Sequence, residues 1–270
     1  MPELPEVETT RRGVIPHVVG KTISAVLIHE ARLRWPVSPE LAQMLTGQSI
    51  TEVNRRGKYL LFSTKTGRLM IHLGMSGSLR IVPSQNERRK HDHLEFITEE
   101  GLSLRFHDPR RFGSVLWLQG LEGHNLIDAL GPEPLSRDFN GDYLFNLSRG
   151  RRTSIKNFIM NSKFVVGVGN IYANESLFMS GIRPSRLDGN ISKKRFFGLV
   201  DSIKVVLNRA IESGGTTLRD FVREDGSQGY FKLKLLVYGR AGEPCFGCGS
   251  LLKVINIGNR STFFCNRCQR

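Results

Sequence analysis

All four cysteines of the 270-residue chain fall in its last 26 residues, as Cys245-x2-Cys248 and, sixteen residues on, Cys265-x2-Cys268. A stretch this short cannot bury a core of its own, so cross-linking must supply its folding energy. Two close pairs of thiolates suit one tetrahedral zinc ion, with two disulfides or a redox pair as the competing uses. The chain shows no basic-then-apolar leader, and its apolar runs are short and broken by charge. That predicts neither signal peptide nor spanning helix, and a cytoplasmic setting in which thiols stay reduced and zinc is favoured. Between the pairs, residues 253–257 and 261–264 read as two strands around Gly258-Asn259-Arg260, with Arg260 at a hairpin tip.

Upstream, the hydrophobic period changes once. Residues 4–18 read as a helix, with Pro5 in its first turn and acids ahead of Arg11 and Arg12. The segments 22–29, 50–54, 58–63, 68–73, 78–82, 93–97, 102–107 and 113–118 are short and β-rich, which predicts an antiparallel sandwich and not βαβ units. Gly131-Pro132-Glu133-Pro134 reads as a linker. Beyond it the period lengthens towards 3.6, with helices expected at 136–148, 153–161, 169–180 and 192–213. The last begins at an N-cap, Ser192, and stops at Gly214-Gly215. Residues 223–230 read as a mobile loop. The fold class is therefore α+β, with three parts expected at 1–131, 132–236 and 237–270.

Charge narrows the partner. Lysine and arginine number 39 against 25 acids, a net +14. Such a surplus points to a polyanion, most economically nucleic acid. It is also uneven: no acid occurs between Asp142 and Glu175, where Arg149, Arg151, Arg152, Lys156 and Lys163 do. From Gly229 to Arg270, seven basic residues face Glu243 alone. Two such stretches would line one cleft if the domains that carry them face each other.

Several smaller patterns carry chemistry. If Met1 is trimmed, Pro2 offers a secondary amine beside the carboxyl of Glu3. An α-amino group with a pKa of roughly 8 is about one-tenth neutral at pH 7, far more than any lysine. Its attack on a sugar C1′ would give an iminium, an electron sink. A helix start is the ordinary use of the same residues. Val165 to Ile171, Gly-punctuated and ending at Asn170, is either a plain turn or an anion site at a helix start, with Lys156 and the arginines favouring a DNA phosphate. Lys58 stands at the start of a strand. Met75 in 72–77 and Arg110 and Phe112 in 108–113 resemble a wedge that fills a gap in stacked bases, with a place in the core as the ordinary use of Met75 and Phe112. His91 is read equally as a phosphate contact or a strand-face residue.

Taken in order, these motifs resemble the bacterial formamidopyrimidine-DNA glycosylase family over essentially the whole length. The resemblance rests on Pro2-Glu3-Leu4-Pro5-Glu6-Val7-Glu8-Thr9, Lys58 in Arg-Arg-Gly-Lys-Tyr-Leu, and His72-Leu73-Gly74-Met75-Ser76-Gly77. Asp108 to Gly113, Gly167 to Tyr172 and the four-cysteine finger with Arg260 complete it. It implies an N-terminal antiparallel β-sandwich with flanking helices, then a helix–two-turn–helix domain with a β-hairpin zinc finger. The implied activity is removal of 8-oxoguanine and formamidopyrimidines from duplex DNA, followed by nicking of the abasic strand, by a monomer carrying one zinc ion. Pro2 would be the nucleophile and Glu3 the acid; Lys58 would serve β-elimination and Arg260 δ-elimination. His91, Arg110, Arg151 and Asn170 would hold DNA, with Met75, Arg110 and Phe112 filling the space left by the flipped nucleotide. Cys245, Cys248, Cys265 and Cys268 would hold the metal, and a loop at 217–230 would enclose the damaged base. An endonuclease VIII-like preference for oxidised pyrimidines, a non-catalytic zinc-finger DNA binder and an RNA-binding translation factor are the alternatives; Leu4-Pro5 favours the purine branch.

Overall fold

Short apolar or β-rich segments build the first half, as a computed structural model describing residues 2–120, 123–214 and 235–270 makes plain. The chain divides into two compact units, one running to Asp128, the other comprising Ala129–Ser213 with residues 235–270. In the first, helix α1 (Leu4–Val18) is followed by β1 (Ile23–Ile28), α2 (Leu41–Leu45), β2 (Glu52–Arg56), β3 (Tyr59–Ser63) and β4 (Gly67–His72). Strands β5 (Ser78–Pro83), β6 (Asp92–Thr98), β7 (Leu102–His107) and β8 (Ser114–Gln119) and a short α3 (Asn125–Asp128) complete it. Two antiparallel four-stranded sheets form, in the orders β1-β6-β7-β5 and β2-β3-β4-β8.

The sheets face each other across one core. Leu94, Phe96, Leu104 and Phe106 of the first sheet meet Leu60, Phe62, Leu69 and Ile71 of the second, and Val7, Val14 and Val18 of α1 join the same cluster. Side chains of opposite parity point away from that core, as a two-residue period requires. Among them Glu95 pairs with Arg105 directly across β6 and β7 at 2.8 Å. Asp92, fully buried, accepts from Arg80 and from His107. Arg105 also donates to the carbonyls of Ser84, Asn86 and Glu87, which fastens the β5–β6 loop, with its Arg88, Arg89 and Lys90, over the sheet. Each of these buried charges faces an opposite or hydrogen-bonding partner, the condition for tolerating them.

The second unit is helical: α4 (Gly141–Ser148), α5 (Ile155–Ile159), α6 (Asn170–Met179), a 3₁₀ turn at Asp188–Asn190, and α7 (Lys193–Glu212). Phe196 of α7 meets Phe145 and Phe158 edge to face, in line with the apolar stripe expected there. Helix α4 starts five residues later than the sequence suggests, because the Asn140 side chain caps it through the Tyr143 N–H. Gly131 to Pro134 is no slack tether: Gly131 donates to the Ser162 carbonyl and the Pro132 carbonyl accepts from Val166, docking it on the turns between α5 and α6. Strands β9 (Lys253–Ile257) and β10 (Arg260–Phe264) form the finger hairpin. Among the described residues no helix is long and apolar enough to cross a membrane. The loops expected at 217–230 and 223–230 lie outside the described residues.

One ion-pair cluster fastens α1 to the sandwich. Glu8 accepts from Arg11, Arg12 and, across to β2, Arg55. Burial pushes its carboxyl up, but the hydrogen bonds from the three guanidinium groups more than offset this and hold it at about 2. The unfolded carboxyl titrates near 4.5, so this stabilisation is complete above that pH and is lost as pH falls towards 2. Glu8→Gln, which leaves three cations around a neutral amide, is expected to cost about 3 kcal/mol at pH 7 and to flatten acid sensitivity below pH 4.5, as thermal unfolding across pH would read.

Candidate active site and metal-binding finger

Helix α1 begins at the residues that carry the proposed chemistry. Pro2 is partly buried, and Glu3, only 3 % exposed, stands at the helix N-cap. Glu3 and Glu6 form a reciprocal capping box, the Glu3 N–H donating to Glu6 Oε2 at 2.8 Å. The Glu3 carboxyl is thereby fixed at the positive end of the helix, one residue from the Pro2 nitrogen.

Lys58 sits in the two-residue Gly57-Lys58 turn joining β2 to β3, one residue before the strand at which the sequence places it. Arg55 ties this turn to α1: its Nε donates to Glu8 and its Nη1 to the Gly57 carbonyl at 2.9 Å. The helix that starts at Pro2 and the turn that carries Lys58 thus share one guanidinium.

Beside the turn lies His72. Burial first, then the charges of Lys58 and Arg34, push its imidazole down to about 4. It is neutral at pH 7, and its Nδ1 accepts the Gly74 N–H at 3.0 Å while its ring lies 4.8 Å from Tyr59. The histidine of the 72–77 motif therefore fixes the loop bearing Met75. Met75 and Phe112 are 37 % and 45 % exposed, which sets aside the core reading for both. Arg110 stacks its guanidinium 4.8 Å from the Phe112 ring. His91 is partly buried; burial first, then the neighbouring His107, Lys90 and His93, push its imidazole down.

In the other unit the finger hairpin and the helices α5 and α6 meet at one carbonyl. Ser261, next to Arg260, accepts from Asn170 Nδ2 at 3.2 Å and Lys156 Nζ at 3.1 Å. Lys156 also donates to Thr262 Oγ1 and is fully buried, so in this structure it is an internal strut and not part of the basic surface. Asn174 of α6 accepts the Phe263 N–H at 2.7 Å, and Glu175 takes three consecutive N–H groups, those of Leu236, Val237 and Tyr238. These contacts fasten the hairpin that carries Arg260 to the helix that begins with Asn170. Arg260 is exposed, following the Gly258-Asn259 turn in which both residues take positive φ. Arg151, exposed, lies with its guanidinium 4.5 Å from Phe164.

The four cysteines fit a single tetrahedral ion. Their Sγ atoms all lie within 4.8 Å of one another, with Cys248 and Cys265 at 3.4 Å and Cys245 and Cys268 at 3.9 Å. A tetrahedron with Zn–S bonds of about 2.3 Å has edges of about 3.8 Å, nearly twice a disulfide bond of ~2.05 Å. The sulfurs are spaced as ligands.

Asp108, Arg55 and Asn174 have structural roles that sequence reading alone did not assign. For Asp108 the Asp-Pro pair was a turn signal; Glu8 and Arg11 or Arg12 were legible as helix neighbours.

Known families match this arrangement part for part. The family model of the formamidopyrimidine-DNA glycosylase N-terminal domain matches residues 1–115, and that of the formamidopyrimidine-DNA glycosylase H2TH domain residues 130–222. The zinc finger found in FPG and IleRS matches residues 242–270. The formamidopyrimidine-DNA glycosylase of Thioalkalivibrio sulfidiphilus is 56% identical over 271 residues, covering 100% of both chains. The chain belongs to the formamidopyrimidine-DNA glycosylase family. Lactococcus lactis Fpg, solved in complex with DNA containing an abasic site, is 33% identical with a TM-score of 0.92 over 100% of both chains. MutM in complex with DNA containing carbocyclic 8-oxo-G is 34% identical with a TM-score of 0.91 over 100% of both.

Two outcomes follow. Native mass spectrometry is expected to find one zinc per chain, and chelation to abolish hydrogen-exchange protection in 245–268; two disulfides in active protein would contradict this. Because the folded His72 titrates near 4 and the unfolded one near 6.5, its contribution is full above 6.5 and is lost as pH falls to 4. His72→Asn, which keeps an acceptor for Gly74, is expected to remove that part of the pH dependence of thermal unfolding.

Proposed function

We propose that this chain excises oxidised purines, 8-oxoguanine and formamidopyrimidines, from duplex DNA, and then cleaves the abasic strand by β,δ-elimination through a Schiff base on Pro2. The observation that carries this reading is a proline at position 2 joined to a buried carboxyl at a helix start, in a chain of this family. A base inside the stack cannot be attacked at C1′, so the nucleotide must first be turned out, at a cost of a few kcal/mol. Met75, Arg110 and Phe112 present the exposed apolar and cationic tips suited to filling the gap. His91, Arg110, Arg151 and Asn170 supply phosphate contacts.

The chemistry follows from the groups available. Breaking the bond between C1′ and the base builds positive charge at C1′, which the Pro2 nitrogen meets, and Glu3 gives its proton to the sugar ring oxygen when the bond between C1′ and that oxygen breaks. The Pro2 nitrogen forms its bond to C1′ as the base leaves, its N–H proton passes to the departing base, and ring opening yields an iminium, which has no N–H left to lose and so keeps its charge at any pH until a C–H bond breaks. That charge acidifies the C2′ hydrogen; its loss expels the 3′ phosphate, and a second elimination expels the 5′ phosphate. Lys58 assists the first elimination. A guanidinium holds its protons too tightly to be a good acid, so Arg260 serves by binding the leaving phosphate of the second. Cys245, Cys248, Cys265 and Cys268 would hold the zinc ion, which would supply folding energy to the finger.

All of this needs the Met1 residue removed, since an acylated nitrogen is no nucleophile. With 8-oxoguanine duplex and borohydride, the protein is expected to form a covalent adduct mapping to residue 2. Pro2→Gly is expected to lower strand nicking about a hundredfold while leaving duplex binding within about threefold. Undiminished nicking by Pro2→Gly would overturn the reading.

A further inference from the structure

Asp108 lies where three loops of the sandwich unit meet, and it is fully buried although the residues after it are not. Pro109, Arg110, Arg111 and Phe112 are all exposed; Asp108 and Gly113, at the two ends of the turn, are buried. Its two carboxylate oxygens gather three donors. Oδ1 accepts the Ser76 hydroxyl at 2.7 Å and the Arg110 N–H at 3.3 Å, and Oδ2 accepts the Gly113 N–H at 2.8 Å. Ser76 belongs to the loop of Met75, whereas Arg110 and Gly113 flank the tip of the other loop. The backbone of Asp108 is held as well, its N–H by the His91 carbonyl and its carbonyl by the Nε2–H of His93.

The turn so gripped is neither relaxed nor loose. Arg111 takes φ 56, a left-handed conformation that a side chain disfavours, so something must hold it there. The two loops also interlock. Gly74 has φ +64, and a Cβ on it would come within 2.4 Å of the Phe112 carbonyl carbon and 2.5 Å of the Gly113 nitrogen. Met75 and Phe112 therefore project from two loops in backbone contact, joined by one carboxylate.

We propose that Asp108 is the positioning residue of the wedge: its buried carboxylate joins the Met75 loop to the Arg110–Phe112 turn, so that the wedge is formed before DNA is met. This rests on the reading of the three tips as a wedge. Preformation matters because loops that had to order on the duplex would lose binding free energy at the moment it is needed to unstack a base.

The test compares Asp108→Asn with the wild type. A carboxylate accepts on both sides, whereas an amide can accept on one, so the variant leaves either the Gly113 or the Arg110 N–H facing an NH2 group. Three measurements separate the outcomes. Hydrogen exchange of peptide 108–113 is expected to speed up at least tenfold in the variant. Excision of 8-oxoguanine from duplex, and the fluorescence change of 2-aminopurine beside the lesion, are expected to slow about tenfold or more. Nicking of an abasic site in single-stranded DNA, which needs Pro2 but no wedge, is expected to stay within about twofold. Ser76→Ala, a milder variant that removes one donor, is expected to shift the same readouts in the same direction and keeps the test open if Asp108→Asn does not fold. Unchanged duplex excision, or equal loss on duplex and single strand, overturns the proposal. A wild type that nicks neither substrate refutes the functional reading instead, and exchange at 108–113 still reports on Asp108.

Discussion

The site depends on how one carboxylate is surrounded. Glu8 sits one helical turn and a half beyond Pro2, and the guanidinium groups of Arg11, Arg12 and Arg55 converge on it. Arg55 is the member that matters most for geometry, because its other end holds the Gly57 carbonyl in the turn of Lys58. Without that strut the N-terminal amine would be a frayed chain end, the most mobile part of most domains. With it, the first turn of α1 is part of the sandwich. The nucleophilic role proposed for Pro2 requires such a hold if proximity is to contribute to the rate.

A second theme is that buried polar residues position exposed functional ones. His72 holds the Met75 loop by accepting from Gly74, and the loop of Phe112 is held by Asp108. Arg105 and Asp92 fasten the basic β5–β6 loop. In the helical unit Lys156, Asn170 and Asn174 fix the finger hairpin and hence Arg260. The tips proposed to meet DNA are held by polar residues beneath them: Asp108 lies a few residues from Arg110 and Phe112, and Lys156 reaches the Arg260 hairpin from α5. Such arrangements keep tips ordered without burying them.

The sequence carried most of the fold, for physical reasons that particular segments illustrate. The strands are legible as short β-rich runs parted by Gly, Asp or Pro and not by alternation, since burial is nearly continuous along β3, β5, β6 and β7; α7 shows its apolar stripe because one face packs on α4 and α6. The finger was legible from cysteine spacing alone. Short α2 was missed: five residues bury only Leu41 and Leu45, too little for a period to show. The late start of α4 depends on Asn140 winning over the preceding residues as a cap. Local order hides long-range partners, too. Nothing near Lys156 in sequence announces Ser261, 105 residues away, and charge counting placed it on the surface where the structure buries it. Asp108 was read as part of a motif, but its convergence with Ser76 needed three dimensions. The site residues themselves were legible as a set mainly through their family resemblance, since each alone has an ordinary structural use.

The account stands or falls on which nitrogen bonds to the sugar. A crystal structure of the complex trapped by borohydride on 8-oxoguanine duplex would show it directly. Continuous density from the Pro2 nitrogen to C1′, with Met1 gone and Glu3 beside the sugar, is the predicted result. Density running to C1′ from Lys58 Nζ instead, with the N-terminal amine unattached, would contradict it.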